Sequence, residues 1–208
     1  MSSATHVDGH QLSLPPEPER ATLEGRNKIL GFWLFLGGEC VLFGTLFAVY
    51  ITLRNSTLGG PSGAELFDLV LVAWATFLLL TSSLTSVLAI QAMHLQKVKQ
   101  MINWLIVTVL LGAAFLGLEI YEFIHYVHEK HTFTSSAFGT SFYSLVGFHG
   151  AHVAFGICWI SLIIYQVWTR GLNLVTAPKV YVSALYWHFI DVVWVFIFTI
   201  VYLMGVMG

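Results

Sequence analysis

Hydrophobic positions fall into five long runs, at residues 29–53, 69–93, 102–127, 138–168 and 180–204. Each exceeds the ~20 residues a helix needs to cross a hydrocarbon core. The fourth is long enough to require tilt, or an extension past the lipid. A backbone in lipid must satisfy its own hydrogen bonds, and uninterrupted runs of this kind favour helices over alternating barrel strands. Turn signals separate the runs: Gly59-Gly60-Pro61-Ser62-Gly63, then residues 96–100, 129–136 and 171–178. These connectors are too short for a soluble catalytic domain. The pattern predicts an all-α integral membrane protein, with a polar N-terminal tail over residues 1–28 and five transmembrane helices within 29–208.

Charge sets the expected orientation. Arg20, Arg26, Lys28, Lys97, Lys99, Arg170 and Lys179 fall on one side of the spans, and only Arg54 and Lys130 on the other. The positive-inside rule then places the N-terminus in the cytoplasm and the C-terminus outside. Residues 1–28 are polar, and Pro15-Pro16-Glu17-Pro18 is no signal-peptide core, so a flexible or surface-bound leader is expected. Five spans do not divide into equal inverted halves of the common transporter type.

Composition sharpens this picture. The chain is 57% hydrophobic and 10% charged, whereas a soluble domain carries about 25% charged residues. Seven Trp, eight Tyr and sixteen Phe suit a lipid-facing surface, and a net charge of −2 argues against nucleic acid as a partner. Cys40 and Cys158 lie far apart in apolar runs, a pattern of neither a disulfide framework nor a zinc site.

Ionisable groups inside spans are costly and point to a function or a specific partner. Glu39 lies in Leu36-Gly37-Gly38-Glu39-Cys40 with no cation within one helical turn. It reads either as a proton-exchanging carboxyl or as a neutral acid bonded to another helix. Glu119, Glu122, His125 and His128 are each three apart and follow one slowly drifting helical face. Glu122-x-x-His125 has the spacing used by di-iron bundles, which need a second such motif that the chain lacks. An interhelical polar network reaching the aqueous edge is the plainer reading. His149/His152 and His188/Asp191 are also three apart. Spacing alone leaves haem ligation by His149 or His188 open, while His188 and Asp191 could satisfy each other and neighbouring helices.

Taken together, these motifs resemble subunit III of the haem–copper respiratory oxidases. The matching runs are Gly31-Phe32-Trp33 before Glu39, Glu119-Ile120-Tyr121-Glu122-Phe123, Gly147-Phe148-His149-Gly150-Ala151-His152-Val153 and Tyr186-Trp187-His188-Phe189-Ile190-Asp191-Val192-Val193-Trp194. They occur in the family's order from about residue 22 onward. Ala21-Thr22-Leu23-Glu24-Gly25 and Arg170-Gly171-Leu172-Asn173-Leu174 look most like the caa-type cytochrome c oxidases of Gram-positive bacteria. Quinol oxidases share most of this core. The five-span form is similar to bacterial subunits that lack the first two helices of the seven-span mitochondrial type.

The resemblance implies a subunit of the bacterial cell membrane without redox metal, haem and copper belonging to subunits I and II. It implies direct packing on subunit I, contact with subunit II and smaller subunits within the complex, and support of proton uptake and active-site lifetime. Bound phospholipid is implied in a cleft that the five-span form partly lacks, with Arg170 as headgroup candidate. Glu39 matches the family's carbodiimide-reactive carboxyl. Glu119, Glu122, His125, His149, His152, His188 and Asp191 are then an intramembrane polar network, with no catalytic or metal role. Two rivals use the same residues differently. A stand-alone membrane metalloenzyme would employ Glu119, Glu122, His125, His149 and His152, and a proton-coupled transporter would centre on Glu39.

The orientation is directly testable. A reporter fused after Gly208 is expected to be active only outside the cytoplasm; activity confined to the cytoplasm contradicts the charge count.

Overall fold

The computed structural model describes residues 14–56, 69–128 and 136–207. The predicted Gly59–Gly63 turn, Lys130 and most of the 129–136 connector lie outside the described residues. Five long apolar helices make up the described chain: α1 (Leu23–Leu53), α2 (Leu69–His94), α3 (Val98–His128), α4 (Ala137–Arg170) and α5 (Ala177–Ile197). A π-helical turn, Phe198–Leu203, continues α5 into a last short turn, Met204–Met207. Each of the five is long and apolar enough to cross a membrane.

Local chemistry shifts two boundaries from the hydropathy reading. α1 starts at Leu23 because the Thr22 hydroxyl accepts the Gly25 N–H at 3.0 Å, and Glu24 pairs with Lys28 one turn on at 2.6 Å. Six residues of the expected polar tail are therefore helical. The 96–100 connector contracts to a tight reversal. Gln96 adopts a left-handed conformation (φ 56°), and the Lys97 N–H reaches back to the Ala92 carbonyl at 2.9 Å, which lets α3 begin at Val98.

Helix α5 is the hub, packing against α1, α2 and α4, while α3 spans α2 and α4. Its indoles act as fasteners. The Trp187 ring N–H donates to Ser82 and that of Trp194 to Thr76, each at 3.0 Å, so both tie α5 to α2. Glycines make room for the larger ring: a Cβ on Gly112 of α3 would stand 2.5 Å from Trp187, and one on Gly156 of α4 only 3.0 Å away. Trp187 is thus wedged where α3 and α4 approach α5.

The chain ahead of α1 is docked. Pro18 and Glu19 are buried at the end of the bundle that carries most of the Lys and Arg. The Glu19 carboxylate lies 3.2 Å from His94 Nε2, Gln96 donates to the Leu14 carbonyl at 2.6 Å, and Arg20 lies over the Tyr181 ring. This strap links the start of α1 to the end of α2. Gly25 permits it, since a Cβ there would stand 2.3 Å from the Glu19 carbonyl oxygen.

Gly112→Ala is expected to overpack the Trp187 contact and destabilise the protein by about 1–3 kcal/mol. Gly117, on the same helix, faces open space, so Gly117→Ala serves as the neutral control. Thermal inactivation of the two variants separates the effects, and equal midpoints contradict the wedge.

Candidate functional site: the intramembrane polar groups

Among the described residues, most of the acidic and histidine side chains inside the apolar runs fall into three clusters. The first joins α1 to α4. Glu39 Oε2 lies 3.2 Å from His152 Nε2, and both side chains are 15% exposed. The missing local cation is replaced by a histidine 113 residues away. The other ring nitrogen, Nδ1, is 2.7 Å from the Phe148 carbonyl, an acceptor that requires it to carry a proton. A neutral His152 then presents Nε2 as an acceptor, so its bond to Glu39 needs either a protonated carboxyl or a doubly protonated ring. In both arrangements one proton lies between Oε2 and Nε2, and the pair as a whole is uncharged. Phe43 and Phe148 pack on the imidazole, and Tyr186 donates to the His152 carbonyl at 3.2 Å.

The second cluster lies where α3 meets α4 and the π-helical turn. Tyr126 and Tyr202 both donate to Glu122, Tyr202 at 3.1 Å. Tyr202 reaches it from a π-helical turn, where one extra residue per turn re-aims the side chains. Hydropathy treats 180–204 as one uniform helix and carries no signal of this. Glu119, one turn earlier, presses its carboxyl onto Gly150: a Cβ there would stand 2.8 Å from Oε1. Neither Glu119 oxygen has a hydrogen-bond partner among the described residues. His125 does not join this cluster; it is exposed and stacks on Tyr121. Each three-residue step falls about 60° short of a full turn, so two steps carry His125 away from the Glu119 face. Glu122 and His125 accordingly do not converge. The His128 side chain lies outside the described set.

His149 and His152 also part company. His149 is fully enclosed between Phe115 and Trp194, with Nε2 3.3 Å from the Ile190 carbonyl, whereas His152 turns to α1. The third cluster joins α5 to α2. His188 and Asp191 do not bond each other directly. His188 Nδ1 is 2.7 Å from Ser83 Oγ. Asp191 Oδ1 is buried without a partner among the described residues. Ser83 was missed by the sequence reading, because a serine in an apolar run costs little and draws no notice. Among the described residues no three His, Cys, Asp or Glu side chains gather as a set of metal ligands.

Arg170 ends α4, where Gly171 takes a left-handed φ of 70°. It lines a pocket of about 470 Å³ with Asn173, Thr176 and Lys179. Lys179 also borders an apolar groove of about 320 Å³ walled by Phe32, Phe35 and Trp159, with Lys28 at its rim.

Five apolar helices carrying interhelical polar clusters define a multi-pass membrane protein. The family model of cytochrome c oxidase subunit III matches residues 21–206. Cytochrome c oxidase subunit 3 of Bacillus sp. (strain PS3) is 64% identical over 197 residues, covering 94% of this chain and 95% of the relative. The same protein of Bacillus subtilis (strain 168) matches to the same extent. Quinol oxidase subunit 3 of Bacillus subtilis (strain 168) is 50% identical over 203 residues, 98% of each chain. The chain belongs to the subunit III family of haem–copper oxidases.

Asp191→Asn retains the size and hydrogen-bonding capacity and is expected to preserve assembly. Asp191→Leu removes the polar group altogether and should lower the amount of this chain in the purified oxidase. Normal assembly of the Leu variant combined with abolished oxygen reduction would show a role in turnover instead of packing.

Proposed function

We propose that the chain is the non-redox accessory subunit of a proton-pumping cytochrome c oxidase, in which electrons from cytochrome c reduce oxygen to water. Cytochrome c as donor is supported by 64% identity to cytochrome c oxidase subunits against 50% to a quinol oxidase subunit. The quinol oxidase subunit is the second reading, favoured by the near-complete coverage of that match. Haem and copper belong to subunits I and II, and this chain packs directly on subunit I, with subunit II and smaller subunits completing the complex.

The observation that carries the proposed role is the Glu39–His152 pair. A carboxyl and an imidazole holding one proton between them, at the protein's lipid-facing edge, keep a proton-bearing polar group among apolar helices as a net-neutral unit. That suits a subunit that sustains proton uptake for a catalytic neighbour. Glu119, Glu122, His149, His188 and Asp191 then serve to fix helix packing, and His125 serves at the edge of the bundle. Arg170 and Lys179 are proposed to hold a phospholipid headgroup in their shared pocket, with an acyl chain in the adjoining groove beside Phe32 and Trp159.

Glu39→Gln preserves shape and removes the reactive carboxyl. In the purified complex it is expected to abolish hydrophobic-carbodiimide labelling of this chain, while leaving the haem spectrum intact and turnover substantial. Labelling that persists in the variant would assign the reactive carboxyl elsewhere. Complete loss of turnover with an intact spectrum would instead make Glu39 an obligatory proton carrier.

A further inference from the structure

Two enclosed polar side chains stand without a partner where α3 meets α4. Glu119 is 4% exposed and His149 fully buried. Neither Glu119 oxygen has a hydrogen-bond partner among the described residues, and nor does His149 Nδ1. The two side chains come from facing turns. The Glu119 carboxyl rests on Gly150, the residue after His149, where a Cβ would stand 2.8 and 2.9 Å from its oxygens. Phe115, one turn before Glu119 on α3, meets the His149 ring edge to face at 5.9 Å.

The backbone of α5 decides what His149 requires. Its Nε2 lies 3.3 Å from the Ile190 carbonyl, an atom that only accepts, so Nε2 carries a proton. On a neutral ring Nδ1 is then an acceptor in want of a donor. Leaving a buried donor or acceptor unmade costs about 1–3 kcal/mol, and three such atoms are gathered here. The side chains make no direct bond, and a polar contact beyond about 3.5 Å is commonly closed by water. Water suits each protonation state of the carboxyl. It donates to a carboxylate or accepts from a carboxylic acid, and keeps a second O–H for Nδ1. Phe115 and Trp194 enclose the imidazole on both sides, which favours the smallest molecule that both donates and accepts.

We infer that one ordered water molecule is bound between Glu119 and His149, bonded to the carboxyl and donating to Nδ1. It completes a chain from Glu119 through His149 to the Ile190 carbonyl, and so ties α3, α4 and α5 together inside the membrane. Helix α4 thereby serves two carboxyls in two ways: His152 meets Glu39 of α1 directly, and His149 meets Glu119 of α3 through water. Glu122, one turn on, has tyrosine hydroxyls on both oxygens instead.

The test uses the whole purified oxidase. A cryo-electron-microscopy map that resolves ordered waters should show a peak about 2.7–3.2 Å from both His149 Nδ1 and a Glu119 oxygen. A direct bond between the two side chains overturns the inference, as does a map with no peak between them. A double-mutant cycle checks it independently, read as the rate at which heating releases this chain from the complex. The acceleration caused by His149→Phe should be roughly 3- to 18-fold smaller in a Glu119→Met background, the equivalent of one interhelical hydrogen bond. Glu119→Gln still bonds water and should release at the wild-type rate. Strictly multiplicative effects of Glu119→Met and His149→Phe show two independent side chains and overturn the bridge.

Discussion

Inside a hydrocarbon layer no water can complete a hydrogen bond, so a polar side chain on these helices is costly unless it finds a partner on another helix or on its own backbone. That constraint organises the molecule. Trp187 and Trp194 meet Ser82 and Thr76, His188 meets Ser83, and Thr85 meets Thr108 at 2.8 Å across α2 and α3. Apolar contact between helices gains little over contact with lipid tails, so packing shape and such bonds select the arrangement. Each bond contributes about 0.6 kcal/mol, at most about 1.7. Their number and their convergence on α5 make them decisive together.

Small residues work alongside these bonds. Gly112 and Gly156 admit the Trp187 indole, and Gly150 admits the Glu119 carboxyl. In each case the glycine replaces a side chain that would hold two helices apart. Gly37, Gly38, Gly44 and Gly117 face open space. The same residue type therefore serves close packing at some positions and an uncommitted surface at others, and only the neighbouring helix distinguishes the two uses.

Glu39–His152 shows how a site with ionisable chemistry survives in this setting. A lone carboxylate would be expensive, but a carboxyl and an imidazole with one proton between them form a neutral unit. The Phe148 carbonyl fixes the tautomer, and the aromatic rings around His152 keep the pair from open solvent. Ser83 gives His188 a partner on another helix, though a hydroxyl, which can donate or accept, does not fix the ring's tautomer. The two histidines differ in what the chain supplies: His152 has both ring nitrogens engaged, whereas His188 has only Nδ1 bonded among the described residues.

The amino-acid sequence by itself determined the membrane class, the number of helices and the identity of the costly residues. Hydropathy is a local quantity summed along the chain, and an ionisable residue in an apolar run is conspicuous wherever it points. Spacing was a weaker guide, because the drift of three-residue steps separated His125 from Glu119 and His149 from His152. Partner choice belonged to the tertiary structure. Glu39 meets a residue 113 positions away, Glu122 one 80 positions away through a π-helical turn, and His188 a serine 105 positions away that nothing in its own run singles out. The reason is geometric: a hydrogen bond depends on angstrom-scale placement of two side chains, and that placement exists only once the helices have packed.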